Sequence, residues 1–143
     1  MTQINAYLNF DGTCREAMTF YKDCLGGELT LQTIEGSPFE PQCPAAIKHH
    51  IMHATLTNGA LLLMGSDMTG PDGLQKGNNV SLSLNCSTEE EINRFFSVLS
   101  ESGKIHEPLR DQFWGAIFGC VTDKFGIRWM LNYDKNQPVA QVQ

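Results

Sequence analysis

Two stretches of this chain, about 75 positions apart, carry the same local signals in the same order. Residues 4–10, Ile-Asn-Ala-Tyr-Leu-Asn-Phe, alternate apolar and polar positions as a half-buried strand does. After the turn at Asp11-Gly12, Thr13-Cys14-Arg15-Glu16 is a capping-box pattern, predicting a helix started by Thr13 with Glu16 bonding back. Ala17, Phe20, Tyr21, Cys24 and Leu25 then recur at helical spacing, Gly26-Gly27 ends the helix, and 28–34 is a second predicted strand. Residues 80–86, Val-Ser-Leu-Ser-Leu-Asn-Cys, repeat the first strand, and Thr88-Glu89-Glu90-Glu91 repeats the cap. Ile92, Phe95, Phe96 and Leu99 repeat the apolar helix face, which Gly103 closes. Each half continues with strand-like runs: 50–57 and 60–66 around Asn58-Gly59, then 116–122 and 127–133 around Asp123-Lys124-Phe125-Gly126. The pattern is strand, helix, three strands, twice over, an α+β arrangement built by internal duplication.

A chain of 143 residues cannot divide into two self-sufficient domains, because ~65 residues bury too little apolar surface alone. The expectation is one domain over 1–143, made of modules 1–67 and 79–133 joined by a Gly-, Asp- and Asn-rich linker at 68–78. Residues 35–47, with three prolines, are predicted to be a loop, and 134–143 a polar tail. Sixteen acidic residues against ten basic ones leave a net charge of −6, which opposes a sequence-independent grip on nucleic acid. No apolar run approaches the ~20 residues of a membrane span and no signal-peptide pattern opens the chain, so a cytoplasmic location is expected. The five cysteines have no CxxC spacing and are expected to be reduced thiols; Cys14, just after a helix cap, comes nearest to an activated one.

Alternation sorts the strand faces. Ile4, Ala6, Leu8 and Phe10 oppose Asn5, Tyr7 and Asn9; Val80, Leu82, Leu84 and Cys86 oppose Ser81, Ser83 and Asn85; Ile127, Trp129 and Leu131 oppose Arg128, Met130 and Asn132. The apolar set is expected against a helix. The other set is either a wetted sheet face or the lining of a concave pocket. Amides, hydroxyls, an aromatic and one guanidinium suit the pocket better than the Lys, Glu and Thr usual on solvated strands.

The histidine cluster at 49–53 invites a metal reading, yet on a strand His49 and His53 stand about 13 Å apart and cannot grip one ion. His53 shares its parity with Thr55 and is a candidate for the cavity. His106-Glu107 suggests an acid–base pair, but neighbouring strand residues point to opposite faces. Trp114 is either core or a ring lining the pocket. No nucleophile elbow, GxGxxG or Walker pattern is present.

The chain resembles the vicinal oxygen chelate superfamily, which includes glyoxalase I, bleomycin and fosfomycin resistance proteins and extradiol dioxygenases. Within it the chain is similar to the PhnB-like branch. The resemblance is carried by Tyr7-Leu8-Asn9-Phe10 with Phe20-Tyr21 and Leu25-Gly26, by 61–67, by Phe113-Trp114-Gly115 and, most specifically, by the run from Val121 to Met130. It implies tandem βαβββ modules forming a cupped mixed sheet around a ligand cavity, and homodimers with modules paired within one chain or across two. Some members of this branch carry a methyltransferase label, but no glycine-rich module that could hold a methyl donor is found here.

The resemblance further implies a metal site with His or Gln on a module's first strand and Glu on its last. Those positions fall near Asn5 or Tyr7, near Ser81, at Met130 and near Met64. Amide, hydroxyl and thioether groups are poor ligands for zinc or iron. The expectation is therefore a protein with no metal and no cofactor that binds a small organic molecule. Tyr7, Trp114 and Met130 would supply apolar or stacking contacts, Asn5, Asn9, Ser81 and Ser83 neutral hydrogen bonds, and Arg128 a partner for an anionic group. The rival is a metal-dependent lyase or dioxygenase whose displaced site recruits His53 and a carboxylate such as Asp67.

Overall fold

A computed structural model describes residues 1–136. The first module runs β1 (Ala6–Asn9), α1 (Cys14–Leu25), β2 (Glu28–Thr33), β3 (Ile51–Asn58) and β4 (Leu61–Ser66). The second runs β5 (Leu82–Asn85), α2 (Glu89–Leu99), β6 (Lys104–Asp111), β7 (Ala116–Thr122) and β8 (Arg128–Asp134). Each module folds its four strands into one sheet, ordered β1-β4-β3-β2 and β5-β8-β7-β6. In both, the first strand pairs parallel to the last and the other pairings are antiparallel. The duplication inferred from local signals is thus a duplication of topology. The chain divides into two compact units, Met1–Lys76 and Gly77–Gln143. Of the polar tail expected at 134–143, the part from 137 onward lies outside the described residues.

In the first module Leu8, Gly65 and Ala54 form one cross-strand row, and Ala6, Leu63 and Leu56 the next. Most of these residues are buried, and α1 packs on β2, β3 and β4 through Cys14, Ala17, Met18 and Tyr21. A side chain at Gly65 would press on the Met18 and Cys14 sulfurs, so its absence lets the helix approach closely. In the second module Ile92, Phe95, Phe96 and Leu99 of α2 are buried with Val121, Trp129 and Leu131 of the sheet. Burying each such side chain contributes about 1.5–3 kcal/mol, so the helix face is the main source of each module's cohesion.

Two glycines show how far the repeat extends. Gly27 opens the strand after α1, and a Cβ there would overlap the backbone oxygen of Thr57; Gly103 opens the strand after α2, and a Cβ there would overlap that of Thr122. The helix ends therefore meet the third strand of each module at the same place and with the same closeness.

The edges of the elements differ from the alternation pattern. β1 starts at Ala6 and β5 at Leu82, leaving Ile4 and Val80 outside the strands and exposed. The two helix starts also diverge. Thr88 accepts a bond from the Glu91 amide (3.1 Å), and the Glu91 carboxylate accepts from the Ser87 amide (2.9 Å). Thr13 makes no such cap. In its place Oδ1 of Asp67, at the end of β4, accepts from the amides of Gly12 (2.8 Å) and Cys14 (3.0 Å), while Oδ2 accepts from Ile51 (2.8 Å). A carboxylate accepts charge-assisted bonds and complements the helix dipole, so it displaces a neutral hydroxyl in that role.

Candidate functional site

Each sheet has a second face, away from its helix. In the first module the register sets Tyr7, Met64, Thr55 and Thr30 in one row across all four strands. His53 lies two residues from Thr55 and on the same face. Its Nδ1 is 3.2 Å from the Tyr7 hydroxyl and its Nε2 3.1 Å from the Thr55 hydroxyl. The Tyr7 and His53 ring centroids are 5.7 Å apart. Both ring nitrogens are thus held by groups that can donate or accept, so the imidazole is satisfied in either neutral tautomer and also when protonated. Tyr7 is 45 % exposed and His53 half-buried, which leaves the cluster accessible. The cluster joins two predicted site residues, Tyr7 and His53, through β1 and β3, which do not touch in the sheet order.

The equivalent row in the second module is Ser83, Met130, Cys120 and Glu107. Beside it runs Arg128, Thr122 and Lys104. The pairing of β6 with β7 shifts between Ile105 and Glu107, so His106 is an inserted residue. That bulge overturns the expectation that His106 and Glu107 point apart. Glu107 is paired with Cys120, and His106 places Nε2 2.7 Å from the Thr122 hydroxyl, both on the helix-free side. Burial pushes the Cys120 thiol up; Arg128 pulls it down and, more weakly, Glu107 pushes it up.

The remaining predicted residues are more scattered. Asn5 precedes β1 and borders a cleft of about 610 Å³ with Thr57, Ala60 and Leu62; Asn9 borders another, of about 330 Å³, formed with the 69–75 loop. They stand at opposite ends of β1 and do not converge. Ser81 precedes β5, and Ser83 lies exposed on it. Trp114 is not core: it sits in the turn between β6 and β7, 52 % exposed, packed edge-on against the more exposed Phe113. His49 lies before β3 and pairs with Glu35 (3.2 Å), so the histidine cluster does not gather. Cys14 is fully buried, and burial, with Asp67 nearby, pushes its thiol up to about 12, which removes it as a nucleophile at neutral pH.

The metal expected of the fold's relatives can be tested against these donors. Of the positions where the resemblance implies ligands, Met64 is paired with Tyr7; Met130 is paired with Ser83, while Ser81 lies just before β5. Thioethers, a phenol and a hydroxyl neither offset a dication's charge nor match its preferred ligands. Asp67, the carboxylate a displaced site would recruit, is buried and already accepts three backbone amides. Among the described residues no three His, Cys, Asp or Glu side chains group as a metal site. The donors present do not fit the metal.

With two βαβββ modules of like register, this architecture is that of the glyoxalase and dioxygenase folds. The model for the glyoxalase/bleomycin resistance protein/dioxygenase superfamily matches residues 3–131, and the chain belongs to that superfamily. It is 35 % identical to the protein YjdN of Escherichia coli K12, covering 94 % of this chain and 97 % of the relative. Among solved structures it is similar to protein PA1353 of Pseudomonas aeruginosa (40 % identity, TM-score 0.82, covering 94 % and 98 % of the two chains). It is also similar to the PhnB protein of Bacillus cereus (27 % identity, TM-score 0.72, covering 92 % and 99 %). The chain is a PhnB-like member of its superfamily.

Proposed function

We propose that this protein is a metal-free binding protein for a small organic molecule, acting in the cytoplasm as a homodimer, with the helix-free sheet faces as its ligand-bearing surfaces. The observation that carries the proposal is that Tyr7 pairs with Met64, and that Met130 stands on β8 with Ser81 just before β5, so neutral groups occupy the positions where relatives of this fold are expected to hold an ion. What the faces offer suits an organic ligand. Tyr7 and Met130 give apolar contact and His53 and Ser83 give hydrogen bonds, with Trp114 an exposed ring in the turn between β6 and β7. Modules paired within a chain or between two would bring two such faces to one ligand. Among the described residues no helix is long and apolar enough to cross a membrane, which is compatible with the cytoplasm.

The test is elemental analysis of protein purified without chelators, followed by a thermal-shift screen of small organic compounds. The expected result is metal far below one equivalent per chain, with organic hits that raise the melting temperature and lose effect in Tyr7→Phe and His53→Ala. A ligand at about 100 times its Kd stabilises a protein by about 2.7 kcal/mol, well within detection. Stoichiometric zinc, nickel, manganese or iron, lost in His53→Ala, would overturn the proposal in favour of a metal-dependent enzyme.

A further inference from the structure

We propose that Arg128, Thr122 and His106 form an anion subsite on the second module, one that takes the carboxylate or phosphate group of a small organic ligand. The inference rests on the binding function above and narrows it to a class of molecule.

Arg128 on β8 and Thr122 on β7 are directly opposed across the ladder, and Lys104 on β6 continues the row. Opposed side chains on one sheet face stand about 5 Å apart at Cβ, so one carboxylate or phosphate group spans the guanidinium and the hydroxyl together. Arg128 is half-buried, and among the described residues no carboxylate forms an ion pair with it. A guanidinium in partly desolvated surroundings presents a fixed fork of donors that matches two anionic oxygens.

The bulge supplies the third member. It delivers His106 to the Thr122 hydroxyl at 2.7 Å, on the side where Arg128 lies. With Nε2–H donating to Thr122, the hydroxyl keeps its own proton to donate outward. An opposing charge on this face, Glu107, stands one row away. Of the two charges acting on the Cys120 thiol, which stands in the Glu107 row, Arg128 acts more strongly than Glu107, although burial outweighs both.

The test uses the full isotope-labelled chain and matched pairs of probes: benzoate with benzamide, and phenyl phosphate with phenol. Chemical-shift titration is expected to show the anionic member of a pair binding about tenfold tighter than its neutral partner, with shifts at Arg128, Thr122 and His106. The preference should vanish in Arg128→Gln and persist in Arg94→Gln, a control on α2. Arg128→Lys, which keeps the charge but not the fork, should retain only part of it. Equal binding of acid and neutral members would overturn the subsite and leave the binding function standing. A preference lost equally in Arg94→Gln would also overturn it, as general charge attraction. Absence of binding by every probe at millimolar concentration would count against both.

Discussion

Each module contains one buried aspartate, and the two hold different things. Asp67 reaches out of β4 to the start of α1 and to the first residue of β3, joining segments far apart in sequence. Asp123 works within its own turn. Its Oδ1 accepts from Phe125 (2.8 Å) and Ile127 (3.1 Å), and its Oδ2 from the Trp129 indole (2.9 Å). Both carboxylates are almost wholly buried, at 6 % and 3 % exposure, and both take a full set of donors. The lesson is that the duplicated topology does not require duplicated polar anchors. α2 starts with its own Thr88, so the second module has no use for a distant carboxylate there, whereas α1 depends on one.

That contrast can be broken by substitution. Asp67→Ala orphans three backbone amides, two of them buried, and should cost about 3 kcal/mol, read as a lower denaturation midpoint. Asp67→Asn, which retains one acceptor oxygen, should cost distinctly less. Asp123→Ala should cost about 2 kcal/mol, because a turn close to solvent can rehydrate part of what it loses. Hydrogen exchange should show the first loss spread over 12–14 and 51, and the second confined to 123–129. An equal spread in both variants would refute the distinction.

The helix starts give a smaller, sharper comparison. Thr88→Ala should destabilise by about 1 kcal/mol, and Thr13→Ala by no more than a few tenths, since only Thr88 caps. Equal losses would mean that Thr13 caps in solution. Smallest in effect at neutral pH is the thiol beside Asp67. With its pKa raised from 9.0 to about 12, Cys14 stays neutral in the folded chain while the unfolded chain ionises above about pH 9. Stability from this group is therefore complete below pH 9 and is lost progressively as pH rises toward 12. Cys14 should resist alkylation at pH 8 until the protein is unfolded, and native-state labelling at that position would contradict its burial.

Much of the fold was legible because its signals are local. Asn58-Gly59 marks a hairpin wherever it stands, and Ile92, Phe95, Phe96 and Leu99 declare a helix face without outside help. What stayed hidden depends on partners distant in the chain. The Thr13 pattern looks like a cap, but the true acceptor is 53 or more positions away. Parity put His53 and Tyr7 among the outward-facing residues, yet their contact needs the register of β1 on β4 and of β4 on β3, which one sequence does not disclose. For His106 the parity argument failed outright, since it assumes that strands pair residue for residue.

That inserted residue carries an evolutionary corollary. Among the described residues β6 sits at the rim of its sheet, bonded to β7 on one side only. Adding a residue there disturbs a single ladder, whereas the same insertion in β7 or β8 would disturb two. A lineage built on this scaffold can therefore swing an imidazole from one side of the sheet to the other by a three-nucleotide gain or loss in its gene, leaving every other codon untouched.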